Sequence, residues 1–94
     1  MGIREDSKRI VRYFLEKAIE IGDLDLCSSD FSFSYNSLAK DLELKSEKYC
    51  RICCQYLREH ECIETHSIEK ASDNFSTQRH VCLLAKAIDF LETT

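Results

Sequence analysis

Two glycines in 94 residues leave this chain with little means of folding a glycine-rich cradle around a phosphate, and no nucleophile elbow or HExxH stretch is present either. No catalytic constellation is supported, so the expectation is a protein that is not an enzyme and carries no cofactor. Long apolar runs are also missing. Nothing approaches the ~18 residues that span a bilayer, and the opening GIREDSKRIVRYF is too charged for a secretory signal. Met1-Gly2 fits the start of a myristoylation motif, but Asp6 stands where that motif requires Ser or Thr. The expected location is intracellular, in the cytoplasm, with no membrane partner. Repeats, low-complexity tracts and linkers are absent as well, so residues 1–94 read as one small domain with a single core. The chain also lacks an excess of positive charge: 13 basic against 17 acidic residues give a formal net charge of −4.

Cysteine is what the chain has in quantity. Six in a secreted domain of this size would suggest a disulfide framework, but that argument depends on an export signal. Cys50, Cys53 and Cys54 share the inward face of one expected helix, where a thiol packs as a small apolar group and helix neighbours are poorly oriented to bridge. A bridge from Cys27 to the core would be expected only of a hyperthermophile. Zinc is the other reading of Cys50, Cys53, Cys54, His60, Cys62, His66, His80 and Cys82. Their spacing does not make a closed finger: Cys50 and Cys53 sit on a helix, and no second CxxC or HxxxH follows. Its sharpest form would pair His60 with Cys62, or His80 with Cys82; the expectation is no metal.

Periodicity sets out the elements. Asp6 or Ser7 can cap a first helix running to about Ile21, with Ile10, Val11, Phe14, Leu15, Ala18 and Ile19 as its apolar stripe and Gly22 as its stop. Phe31-Ser32-Phe33-Ser34 alternates as a short strand with both rings on one face. Two short amphipathic helices follow. Leu38, Ala39 and Leu42 mark the first and Cys50, Cys53, Cys54 and Leu57 the second, with only Glu43-Leu44-Lys45 between them and Ser46 placed to cap the second. Alternation then resumes through residues 62–68 and 78–83 on either side of a polar segment, which reads as a hairpin. Leu84, Ala87, Ile88 and Leu91 supply the stripe of a last helix.

Helix, strand, helix, helix, strand, strand, helix is the order of elements in the winged helix-turn-helix family, and the chain resembles that family over nearly its whole length. LAKDLEL looks like the first motif helix and its turn, YLREHECIE like the exit into the wing, and VCLLAKAIDFL like the passage from wing to C-terminal helix. The resemblance implies a mainly α fold with a small β-hairpin (α+β): a helix-turn-helix at about 35–59, a wing at about 62–84 and a C-terminal helix at about 85–92. Two residues depart from the pattern. Glu43 and Glu61 stand where the family commonly has glycine, so both turns have to be made without its freedom at positive φ.

In this family the second motif helix lies in the major groove, which makes Ser46, Lys48, Tyr49, Arg51 and Gln55 the candidate DNA contacts, with Lys70, Asn74 and Arg79 added from the wing. The implied function is sequence-specific binding of double-stranded DNA by a small transcriptional regulator. Charge supports this only locally: residues 34–60 carry five basic and four acidic side chains, whereas residues 61–94 carry three and six. A homodimer is expected, since one motif helix reads one half-site, with Ile3, Phe14, Phe90 and Leu91 as candidate contacts. With no room for an effector domain, any sensing would fall to the thiols. The alternative is a winged helix used for protein contact, as a subunit or an inhibitor, which the acidic balance favours. Free-standing winged helices of this size also occur in viruses and plasmids.

Overall fold

Gly2 opens the first helix, and its carbonyl accepts from the Asp6 N–H at 3.1 Å. In the computed structural model, which describes residues 2–28, 31–67 and 78–92, helix α1 spans Ile3–Ile21. The expected caps Asp6 and Ser7 are therefore inside the helix, and both are buried. Gly22 ends α1 as expected, at φ 86° in the left-handed region where a residue without Cβ has no steric penalty. Ile10, Val11, Phe14 and Ala18 form the buried stripe, Leu15 is half-buried, and Ile19 is 72% exposed, so the stripe is narrower than its sequence suggested.

After a single turn of 3-10 helix at Leu26–Ser28, the expected strand at 31–34 shrinks to one residue. Phe33 exchanges both backbone hydrogen bonds with Arg79 (3.0 and 2.7 Å), and Ser34 then leaves at once to cap the next helix. The two rings do share a side, since both Phe31 and Phe33 meet Phe14 edge-on, at 6.2 and 5.0 Å. Helix α2 (Tyr35–Asp41) starts in a reciprocal capping box between Ser34 and Ser37. Helix α3 (Glu47–Glu59) starts at Ser46, whose hydroxyl accepts from the Tyr49 N–H at 3.0 Å.

The turns beside these helices use left-handed backbone in spite of their side chains: Glu43 has φ 54° and Glu61 φ 58°. Neighbouring bonds hold both. Leu44 N–H reaches the Ala39 carbonyl at 2.8 Å, and Cys62 N–H the Leu57 carbonyl at 2.9 Å.

Strands β1 (Ile63–Ser67) and β2 (Arg79–Leu83) are antiparallel, with Thr65 opposite Val81. Leu24, Asp25 and Phe33 lie along the other edge of β2. Helix α4 (Ala85–Glu92) packs on α1 through buried Ala87, while Ile88, expected in its stripe, is exposed. The described residues thus form four helices and one two-stranded antiparallel sheet. None of these helices is long and apolar enough to cross a membrane.

Their core runs through all the elements, with Phe14, Ile10, Leu26, Leu38, Leu57, Ile63 and Val81 at its centre. Phe14, expected at a dimer contact, is fully buried there, because the first helix lies under the others rather than at their edge.

Candidate nucleic-acid interface

Helix α3 divides cleanly by its own period. Cys50, Cys53, Cys54 and Leu57 are fully buried, as their spacing requires, and all six cysteines of the chain are free thiols. Cys54 has its thiol pKa raised by its hydrogen bond with Cys50 and by burial. Burial is also the leading reason that Cys27, Cys53, Cys62 and Cys82 are raised. Thiolate formation is disfavoured at these five, whereas Cys50 is lowered by its hydrogen bond with Cys54.

The opposite face of α3 carries Glu47, Lys48, Arg51, Ile52, Gln55 and Glu59, all exposed. Lys48, Arg51 and Gln55 follow the i, i+3, i+7 spacing of a single stripe, with Ser46 at its head. Of these, Gln55 donates to Glu59 at 3.3 Å, and the Arg51 guanidinium lies 5.3 Å from the centre of the Tyr35 ring.

Two of the expected DNA contacts, Tyr49 and Arg79, are not on this surface. Tyr49 turns inward from the exposed face: its hydroxyl donates to Asp6 at 2.5 Å, and that hydrogen bond, with burial behind it, pushes the phenol pKa up. A phenol committed to a buried carboxylate is not available to a phosphate. Arg79 is half-buried opposite Ser67, in the last strand pair before the connecting segment, with its guanidinium 4.9 Å from the Tyr35 ring centre. Lys70 and Asn74 lie outside the described residues.

Two tethers fix the angle of α3. Toward α1, the Asp6 carboxylate takes the Tyr49 hydroxyl on one oxygen and Arg9 at 3.1 Å on the other, and these partners hold its pKa below the ordinary carboxylate value. Arg9 also donates to the Leu42 carbonyl in the turn before α3. Toward the hairpin, Arg58 donates to the Tyr35 hydroxyl at 3.0 Å and to Thr65 Oγ1 at 3.5 Å.

Asp6 had a sequence signal, since it stands four residues before Ile10 and falls on the buried stripe once the helix starts at Ile3. Tyr35 and Arg58 had none, because their meeting depends on how α2 and α3 pack.

The histidines do not gather with the thiols. His66 faces His80 across the hairpin, with His80 Nδ1 at 3.2 Å from the Phe31 carbonyl, and His60 stacks on Tyr56 at 4.4 Å. Among the described residues, no three His, Cys, Asp or Glu side chains are disposed to hold a metal ion. No protein-family model, no curated protein and no solved structure matches the chain.

Proposed function

We propose that this chain is a small winged helix-turn-helix regulator that binds double-stranded DNA, with no enzymatic activity of its own, and that it acts as a homodimer. The observation that carries the reading is the division of α3: four fully buried residues on one face, an exposed Lys48, Arg51 and Gln55 stripe on the other, and a turn of five residues, Leu42 to Ser46, separating it from α2. A helix tethered at both ends with a polar donor stripe outward suits insertion into a major groove. There, Lys48 would donate to guanine or phosphate, and Gln55 would pair with adenine once released from Glu59. The hairpin follows α3 where a wing would flank the groove.

Fluorescence anisotropy with the gene's own upstream DNA and with an unrelated duplex tests this. The regulator should retain nonspecific DNA at low salt, lose affinity steeply as salt rises, and prefer one sequence. Absence of binding to any duplex at low salt would refute it.

A second reading has its own observation. Ile52 is 50% exposed in the middle of the same stripe, and a bare isoleucine among charged residues suits a protein partner, as does the net charge of −4. A protein-contact module would pass through heparin without retention.

A further inference from the structure

Three of the chain's six arginines converge on one aromatic ring. Tyr35 is buried at the start of α2. Arg51 of α3 and Arg79 of β2 hold their guanidinium carbons 5.3 and 4.9 Å from its ring centre, and Arg58 of α3 donates to its hydroxyl at 3.0 Å. Arg51 and Arg79 are therefore within about 10 Å of each other, close to the screening length of roughly 8 Å at physiological salt, so their repulsion is only partly screened.

In a chain with more acidic than basic residues, a carboxylate among them would be the ordinary outcome. Yet among the described residues neither Arg51 nor Arg58 is ion-paired with one. The ring stabilises the nearby cations through its face. It does not neutralise Arg51.

We infer that Tyr35, Arg51, Arg58 and Arg79 form an oxyanion site for a phosphate group, and that its occupant is a backbone phosphate of the bound duplex. The phosphate's owner, but not the site, rests on the DNA-binding reading. Guanidinium forks match phosphate oxygens in planar, paired geometry, and several can share one anion. Because the Tyr35 oxygen accepts from Arg58, its own proton remains to donate to an anion. The site joins residues from α2, α3 and β2, so an occupant would also lock the reading helix against the hairpin. Arg51 moves on this account from base reading to phosphate holding, which leaves sequence choice to Lys48 and Gln55.

The test has two arms on the full chain. In the first, inorganic phosphate replaces chloride at constant ionic strength while arginine Nε–Hε resonances are followed. The signals of Arg51, Arg58 and Arg79 should move and that of exposed Arg12 should not. In the second, anisotropy with two unrelated duplexes compares the parent with Arg51→Gln, Arg58→Gln and Tyr35→Phe. Each arginine variant should weaken both duplexes by the same factor and lower the log–log salt slope by up to about 1, the three sharing one phosphate, whereas loss of a base reader would relax preference at one position.

Tyr35→Phe keeps the ring and should lose the Arg58 contact and the hydroxyl's own donation to the anion, a control for any variant that folds poorly. Unmoved arginine signals would overturn the site even if the parent binds DNA. Phosphate shifts without any DNA binding would support the site, refute the DNA reading, and make the ligand a free phosphate. Unchanged salt slopes in variants of a DNA-binding parent would overturn the backbone assignment.

Discussion

Asp6 is 4% exposed, and its charge is kept in the fold by the Tyr49 hydroxyl and the Arg9 guanidinium. Because those partners lower its folded pKa below the ordinary 3.8, the stabilisation is fully present above that value and is lost as pH falls through the lower folded one. Tyr49→Phe removes one partner of a buried carboxylate and should cost about 1 to 2 kcal/mol in urea unfolding at neutral pH, Arg9 remaining in place. The same variant should lose less stability than the parent on acidification below 3.8; an equal loss in both would show that the hydroxyl does not hold the carboxylate's charge. At Glu43 the direction reverses. A residue with a Cβ at φ 54° is strained by roughly 1 kcal/mol, so Glu43→Gly should be neutral or stabilising despite the added freedom of the unfolded chain. A large drop in melting temperature would mean that the Glu43 side chain itself holds the turn.

At the scale of elements, α3 was legible because two local signals agreed, a capping serine at 46 and four apolar positions in helical register. The hairpin was legible because alternation survives in both of its strands. The start of α1 was not. Gly2 makes its cap with no side chain, and the better capping residues Asp6 and Ser7 drew the boundary inward, while their true role in the core depends on α3 lying against them. The strand at 31–34 failed for a related reason: its alternation reports two rings packed on Phe14, not a ladder. Since α3 buries Cys50, Cys53 and Cys54 completely, these thiols should resist a maleimide in the native protein and react once urea unfolds it. Half-buried Cys27 and Cys82 should label earlier. Rapid native labelling of the three helix thiols would contradict the packing of α3.

For the whole molecule, the candidate site was half legible: the α3 stripe follows from helical spacing, but the gathering of Tyr35, Arg51, Arg58 and Arg79 depends on three elements meeting and leaves no trace in any local pattern. The proposed dimer changes in the same way. Phe14 belongs to the core, and Phe90 is half-buried against Tyr56, with Arg4 and Lys8 over its ring. Among the apolar residues that α1 and α4, which pack on each other, still offer a second copy are Ile3 at 39% exposure, Ile88 at 38%, and the half-buried Leu91. A two-fold axis beside these helices would bury them and leave α3 free, with two motif helices one DNA turn, ~34 Å, apart. Sedimentation at micromolar concentration should then give twice the 11.0 kDa chain mass. Ile88→Asp, at an exposed position, should give a folded monomer with an unchanged melting profile at low concentration and weaker DNA binding. Deleting α4 is a poor substitute, because Ala87 is part of the core and its loss would unfold the chain. A parent that sediments as a monomer both alone and on DNA would refute the dimer, and each α3 would then have to bind as a single, weakly held reader.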